Sequence, residues 1–262
     1  MKQTSPITLL GIPFLPLTER EFRARLARLA IHGRTAHVFT PNPEMLLLSK
    51  NDPEFHTFLC DADLLLPDGI GILLGARIRG TPLPARATGI DSAEWLLSFA
   101  AKHSLRVFLL GGRCGVAEDA ARTLAARFDG LSICGTHHGY FDKAKESPEN
   151  KAVLALLREA KPDLLFVCFG APAQEKWISE NADEIPSLRL CMGLGGALDV
   201  WSGRVERAPR LWQKLGLEWL WRTLREPKRI RRLTVLPKFL WIIYRSSFWA
   251  CRTAASKNSS TS

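Results

Sequence analysis

A lone aspartate, Asp68, stands directly after the apolar run Leu64-Leu65-Leu66-Pro67 and ahead of Gly69, Ile70 and Gly71. A carboxylate at the end of a buried strand, beside a glycine that lets a substrate come close, is placed for general-base work. The same spacing also suits a plain helix cap, and on spacing alone both readings stay open. Upstream, Thr40-Pro41-Asn42-Pro43-Glu44-Met45 carries two prolines that fix a tight strand-to-helix turn. Such a turn presents the Thr40 hydroxyl and the Asn42 amide at a set geometry; an ordinary capped turn is the alternative.

Other segments suit a phosphate-bearing ligand. Arg86, in Arg86-Ala87-Thr88-Gly89-Ile90-Asp91, offers fixed donors that balance a diphosphate without a metal ion, while Thr88 or Asp91 equally serves as a helix cap. Gly111-Gly112-Arg113-Cys114-Gly115 and Gly193-Leu194-Gly195-Gly196-Ala197-Leu198-Asp199 expose backbone N–H groups near helix starts. Neither is a full GxGxxG, so nicotinamide or flavin binding has weak support, and tight strand-to-helix packing uses glycine just as well. Gln174 falls in the first turn of a helix opened by Gly170-Ala171-Pro172, facing the same crevice. Tyr140, between Gly139 and Phe141, either stacks on a nucleobase or packs into the core. Asp61-Ala62-Asp63 matches the DxD pattern of cation-dependent sugar transferases, but it precedes its strand and belongs at the sheet edge opposite Asp68. No metal site and no cofactor are expected, and six scattered cysteines without a CxxC pair fit core thiols in a reducing cytosol.

Positioning these residues requires short buried strands alternating with helices. Apolar runs at 36–40, 62–66, 106–111, 131–134, 163–169 and 188–194 read as strands, and segments 18–31, 43–50, 91–103, 115–128, 148–160 and 173–183 read as helices. Strands without polar alternation imply burial on both faces, hence an α/β fold with a Rossmann-like, mostly parallel sheet and helices on both faces. In such a sheet ligands bind beyond the C-terminal ends of the strands, where the Asn, Asp and Gly turns above all fall.

Charge divides the chain. Residues 204–262 hold 14 Lys and Arg against 3 Asp and Glu, a local charge of +11, which leaves residues 1–203 at −1 of the total of +10. Accordingly 1–203 is expected to be the catalytic domain and 204–262 a basic, amphipathic helical appendage. Arg222, Arg225, Arg229 and Arg232 recur at helical spacing beside Trp212, Trp219 and Trp221, and Lys238 and Arg245 interrupt every apolar run that approaches bilayer length. That pattern predicts helices lying in an anionic membrane interface, with packing of a basic amphipathic helix on the domain as the alternative. Nucleic acid is disfavoured as a partner, because bulky apolar residues interleave the cations and no recognised nucleic-acid module is present. The N-terminus lacks the apolar stretch of a signal peptide, since Pro6, Pro13 and Pro16 break it, so the expected place is cytoplasmic, peripheral on the inner face of the membrane.

In order along the chain, TPNPEM, LLPDGIGI, RATGID, LLGG, GAPAQEKWI and GLGGALDVWSGRVERAPRLWQKLGLEWLWRTLREPKR resemble the bacterial WecG/TagA/CpsF glycosyltransferase family, over about residues 8–232. The resemblance implies a Rossmann-like inverting transferase that takes N-acetylmannosamine, or its uronic acid, from UDP to a glycan on undecaprenyl diphosphate. It carries that family's catalytic threonine onto Thr40, its proposed base onto Asp68, and its crevice Asn, Arg and Gln onto Asn42, Arg86 and Gln174. It also suggests that the appendage completes the active site. Rival readings from the residues alone are a Rossmann-type nucleotide-binding oxidoreductase and a non-enzymatic membrane-surface adaptor.

Overall fold

The structure, a computed structural model, describes residues 5–32, 34–225, 230 and 233–258. A short antiparallel hairpin, β1 (Ile7–Leu9) and β2 (Ile12–Phe14), leads the chain. The apolar runs then form β3 (Ala36–Phe39), β4 (Leu64–Leu65), β5 (Arg106–Gly111), β6 (Ser132–His137), β7 (Leu164–Cys168) and β8 (Leu190–Gly193). These six make one sheet in the order β4-β3-β8-β7-β5-β6, with every neighbouring pair parallel.

The helices are α1 (Glu19–Ile31), α2 (Pro43–Ser49), α3 (Pro53–Cys60), α4 (Ile70–Ile78), α5 (Gly89–Lys102), α6 (Val116–Arg127), α7 (Pro148–Ala160) and α8 (Ala173–Asn181), followed by α9 (Ala197–Trp201), α10 (Arg210–Lys214), α11 (Glu218–Arg225) and α12 (Val235–Asn258). Several starts follow directly from the sequence. Thr18 and Glu21 form a reciprocal capping box on α1, and Asn42, Thr88 and Ser147 each accept the third backbone N–H of the helix they open.

Alternate residues of each strand feed two apolar clusters. Phe39, Phe108, Leu110, Leu165, Val167 and Cys191 join one, while Val38, Val107, Leu109, Leu164, Phe166 and Met192 join the other. Both faces of the sheet are therefore dry, as the uninterrupted apolar runs require. The helix that follows β3 and the helix that follows β8 leave on opposite faces: Met45 and Leu46 of α2 belong to the first cluster, Leu198 and Trp201 of α9 to the second. Because β3 and β8 are neighbours, a crevice opens between their exits, at the C-terminal edge of the sheet.

All six expected strands and six expected helices are present, and their differences from expectation have local causes. β4 begins only at Leu64 because the Asp63 carboxylate takes the His37 N–H and the Arg34 guanidinium, both at 2.9 Å. That ties Asp63 to the N-terminal edge, away from Asp68. β6 runs on to His137, paired with Leu110 of β5. The hairpin and α3, α4 and α9 lie outside the predicted elements.

α4 shows why it escaped notice. Gly71 and Gly75 look like breakers, yet they form a notch that receives α12. A Cβ on Gly71 would lie 2.7 Å from Leu236 Cδ1, and one on Gly75 would lie 2.9 Å from Phe239 Cε1. Close backbone approach is bought here at some cost in helix propensity. Phe239 and Ile243 of α12 are consequently buried in the first cluster, while Trp241 and Tyr244 stack on its outer side with ring centroids 6.4 Å apart. The Phe239→Ala protein is expected to lose about 3–5 kcal/mol of local stability. Limited proteolysis should then cut faster around α12 while the protein fragment holding the sheet stays resistant.

Candidate functional site

A cavity of about 290 Å³ occupies the crevice between the β3 and β8 exits. Thr40, Asn42, Asp68, Arg86 and Gly196 line its sheet side, and Arg207, Glu218, Trp219 and Arg222 line the side made by the C-terminal arm. Residues separated by up to 196 positions in the chain, Thr40 and Leu236, thus meet in one space.

Asp68 enters it from the turn after β4. Its own N–H bonds to the Pro41 carbonyl at 3.0 Å, which fastens the two turns together. Its carboxyl faces the backbone N–H groups of Gly89 and Gly69 and the Arg86 guanidinium, all of which favour the charged form. Withdrawal from water outweighs them, and the Glu218 carboxylate acts in the same direction, so the Asp68 carboxyl is pushed up to about 6. Asp68 is therefore not a helix cap: α4 opens on Gly69 without a side-chain cap.

Thr40 is buried, and its hydroxyl donates to the Gly193 carbonyl at 3.2 Å, leaving oxygen lone pairs for a ligand. Asn42 spends its carbonyl on the Met45 N–H at 3.1 Å, which leaves its NH2 group as the donor it can offer. Arg86 Nη2 donates to the Gln213 carbonyl at 2.7 Å, so this guanidinium joins the sheet edge to the arm.

Other expected residues stand elsewhere. Gln174 is buried outside the cavity wall, its Oε1 accepting the N–H groups of Gly170 at 3.2 Å and Gly195 at 2.8 Å. It clamps the β7 exit to the β8 exit and so shapes the wall that Gly196 completes, while Gly195 is spent on the clamp. Gly111 and Gly112 end β5, three strands from β3, and Tyr140 follows β6 beyond them. At a strand spacing of ~4.8 Å they lie roughly 14 Å along the edge from Thr40. Tyr140 is 70% exposed, so it is not a core residue. With His138, Arg113 and Cys114 it lines a separate shallow pocket.

Arg222, expected on a membrane-facing side, is in the cavity wall, where a Cβ on Gly196 would lie 3.1 Å from its Nη2. Arg225 points elsewhere, pairing with Glu206 at 3.2 Å and lying over the Trp221 ring at 4.9 Å. Arg229 and Arg232 lie outside the described residues.

Sequence reasoning missed three charged groups. Arg207 bridges Asp91 and Glu218, and Glu218 faces the cavity from the start of α11. Both sit inside the long final motif, whose reading gave neither a role of its own. Glu175 has no exposed surface; its Oε1 accepts from Gln174 Nε2 at 2.7 Å, and its Oε2 has no hydrogen-bond partner among the described residues. Burial pushes the Glu175 carboxyl up to about 7, against the weaker pull of Gln174. Its signal was a Gln-Glu pair in a helical first turn, which looks like surface.

Among the described residues no cluster of three or more His, Cys, Asp or Glu forms a metal site. A model of the Glycosyl transferase WecG/TagA/CpsF family matches residues 7–252. A relative from Bacillus spizizenii, named N-acetylglucosaminyldiphosphoundecaprenol N-acetyl-beta-D-mannosaminyltransferase, is 33% identical over 239 residues, covering 91% of this chain and 90% of its own. One of the same name from Staphylococcus aureus strain MW2 is 31% identical over 242 residues, 92% of each chain.

The folded state holds a proton on Glu175 that the unfolded chain gives up near pH 4.5, so this group stabilises the fold at low pH and ceases to as pH rises towards about 7. Replacing it in Glu175→Gln is expected to flatten the fall in thermal stability between pH 5 and 8, by roughly 3 kcal/mol at the alkaline end. Calorimetry of both proteins across that range measures it.

Proposed function

The chain belongs to the WecG/TagA/CpsF family and is a glycosyltransferase, and from its cavity we propose that it moves N-acetylmannosamine, or a closely related N-acetylhexosamine, from UDP to an undecaprenyl-diphosphate-linked N-acetylglucosamine in cell-surface polysaccharide synthesis. The observation that carries this reading is the meeting of Asp68, Thr40, Asn42 and Arg86 in one cavity with a carboxyl held near neutrality.

In the proposed reaction the Asp68 carboxylate takes the proton from the acceptor hydroxyl as that oxygen bonds to the anomeric carbon. The bond from that carbon to the β-phosphate oxygen breaks, its electron pair leaves on UDP, and attack from the opposite side inverts the centre. Arg86, Arg207 and Arg222 supply positive charge around the departing diphosphate, which supports a metal-independent mechanism. Thr40 and Asn42 orient the sugar. The nucleoside end then extends along the sheet edge towards Gly111, Gly112 and the open ring of Tyr140. Gln174 acts through the clamp it makes rather than by touching the ligand.

A lipid-borne acceptor requires the enzyme to work at a membrane surface. No helix among the described residues is long and apolar enough to cross one. The arm instead shows Leu211, Leu215, Leu224, Ile230, Trp241 and Tyr244 to solvent beside its excess of Lys and Arg. This supports residues 204–262 as a peripheral attachment to an anionic leaflet, on the cytoplasmic side where nucleotide sugars are made.

Product mass after incubation with a panel of UDP-sugars and a short-chain polyprenyl-diphosphate-GlcNAc identifies the reaction. Asp68→Asn is expected to cut turnover by about 10²-fold or more while UDP binding persists, since only the proton transfer is removed. Wild-type kcat/KM should rise through about pH 6 as Asp68 loses its proton. Flotation with anionic vesicles should recover the full chain, less of it as salt rises, and should fail for a chain ending at residue 203. Full activity in Asp68→Asn refutes the base; equal flotation with and without the arm refutes the attachment.

A further inference from the structure

Glu218 opens α11 and lines the same cavity as Asp68. Its Oε1 accepts from Arg207 Nε at 3.4 Å, and Arg207 Nη2 reaches Asp91 Oδ1 at 2.5 Å in the first turn of α5. The arm is tied a second time by the bond from Arg86 to the Gln213 carbonyl. Two carboxyl groups therefore share one partly enclosed space, one from the sheet edge and one from the arm, and the guanidinium nearest Glu218 is divided between two acids.

Besides Asp68, charged side chains reach this cavity from several elements: Glu44 from α2, Arg86 from the turn before α5, Glu206 and Arg207 from the segment before α10, Glu218 and Arg222 from α11; what α4, α9 and α12 add to its lining is uncharged. Two of them bear on Asp68. Arg86, with the N–H groups of Gly89 and Gly69, favours its ionised form, and Glu218 opposes it. Without Glu218, withdrawal from water would stand alone against the cation and the two amides, and Asp68 would hold its proton less readily.

We propose that Glu218 is a positioning residue for the transfer: carried in on the docked arm, its charge offsets Arg86 and keeps Asp68 basic enough to accept the acceptor's proton. The inference rests on the reading of Asp68 as the base. It gives the arm a chemical part beyond attachment, because an undocked arm withdraws the second carboxylate and leaves Asp68 a weaker base.

The test is a 13C NMR titration of the Asp68 carboxyl in the full-length protein without substrate, its resonance identified by its loss in Asp68→Asn. Glu218→Gln is expected to lower the midpoint by about half a pH unit or more. Arg207→Gln, which releases the Glu218 charge, is expected to raise it, and Glu218→Asp to leave it near the wild-type value. The acid limb of kcat/KM should follow each shift. An unmoved midpoint in Glu218→Gln, or a lowered one in Arg207→Gln, overturns the proposal; should Glu218→Gln fail to fold, the sign in Arg207→Gln decides alone. The base reading fails by a different result, an active Asp68→Asn enzyme, which leaves these midpoints as measured.

Discussion

A carboxyl group able to take a proton near neutral pH has to be partly deprived of water without being locked into an ion pair. The environment of Asp68 meets both demands, and much of the structure follows from it. Desolvation comes from the crevice at the β3 and β8 exits, roofed by the arm. Two backbone N–H groups and Arg86 keep the group ionisable, while Glu218 stops them from holding it too firmly.

The roof depends on a packing device that is itself wholly apolar. Gly71 and Gly75 on α4 open a notch for Leu236 and Phe239, so α12 is seated directly behind the turn that bears Asp68 and Gly69. Seating one face of α12 this way leaves the opposite face, with Trp241 and Tyr244, open to the surroundings. One helix can then face the core and, in the proposed attachment, a lipid surface at once, which suits an enzyme whose acceptor is a sugar on a polyprenyl carrier.

Much of this was legible beforehand. Continuous apolar runs marked all six sheet strands, and the turns after them marked Thr40, Asn42, Asp68 and Arg86, which do share a cavity. Gln174 was legible as important but not in its role: a first-turn glutamine reads as surface until the N–H groups of Gly170 and Gly195 are seen to converge on it. For Tyr140 the sequence leaves a nucleobase stack and core packing both open, and the chain turns the ring outward. Arg222 carried the periodicity of a membrane face and lies in the cavity wall instead, its guanidinium beside Gly196 just after β8.

By itself the sequence determined what local periodicity and turn chemistry can encode: the parallel sheet, the helices with caps, the edge at which polar turns gather, and the basic character of the arm. Tertiary structure alone decided which distant groups act on one another. Glu218 meets Asp68, Arg207 divides itself between two acids, and Glu175 loses its water entirely. The physical reason is that a side chain's charge state and partners depend on dielectric and on neighbours within a few ångströms, and those neighbours are set by how helices close over a sheet, a long-range outcome that no window of the chain contains.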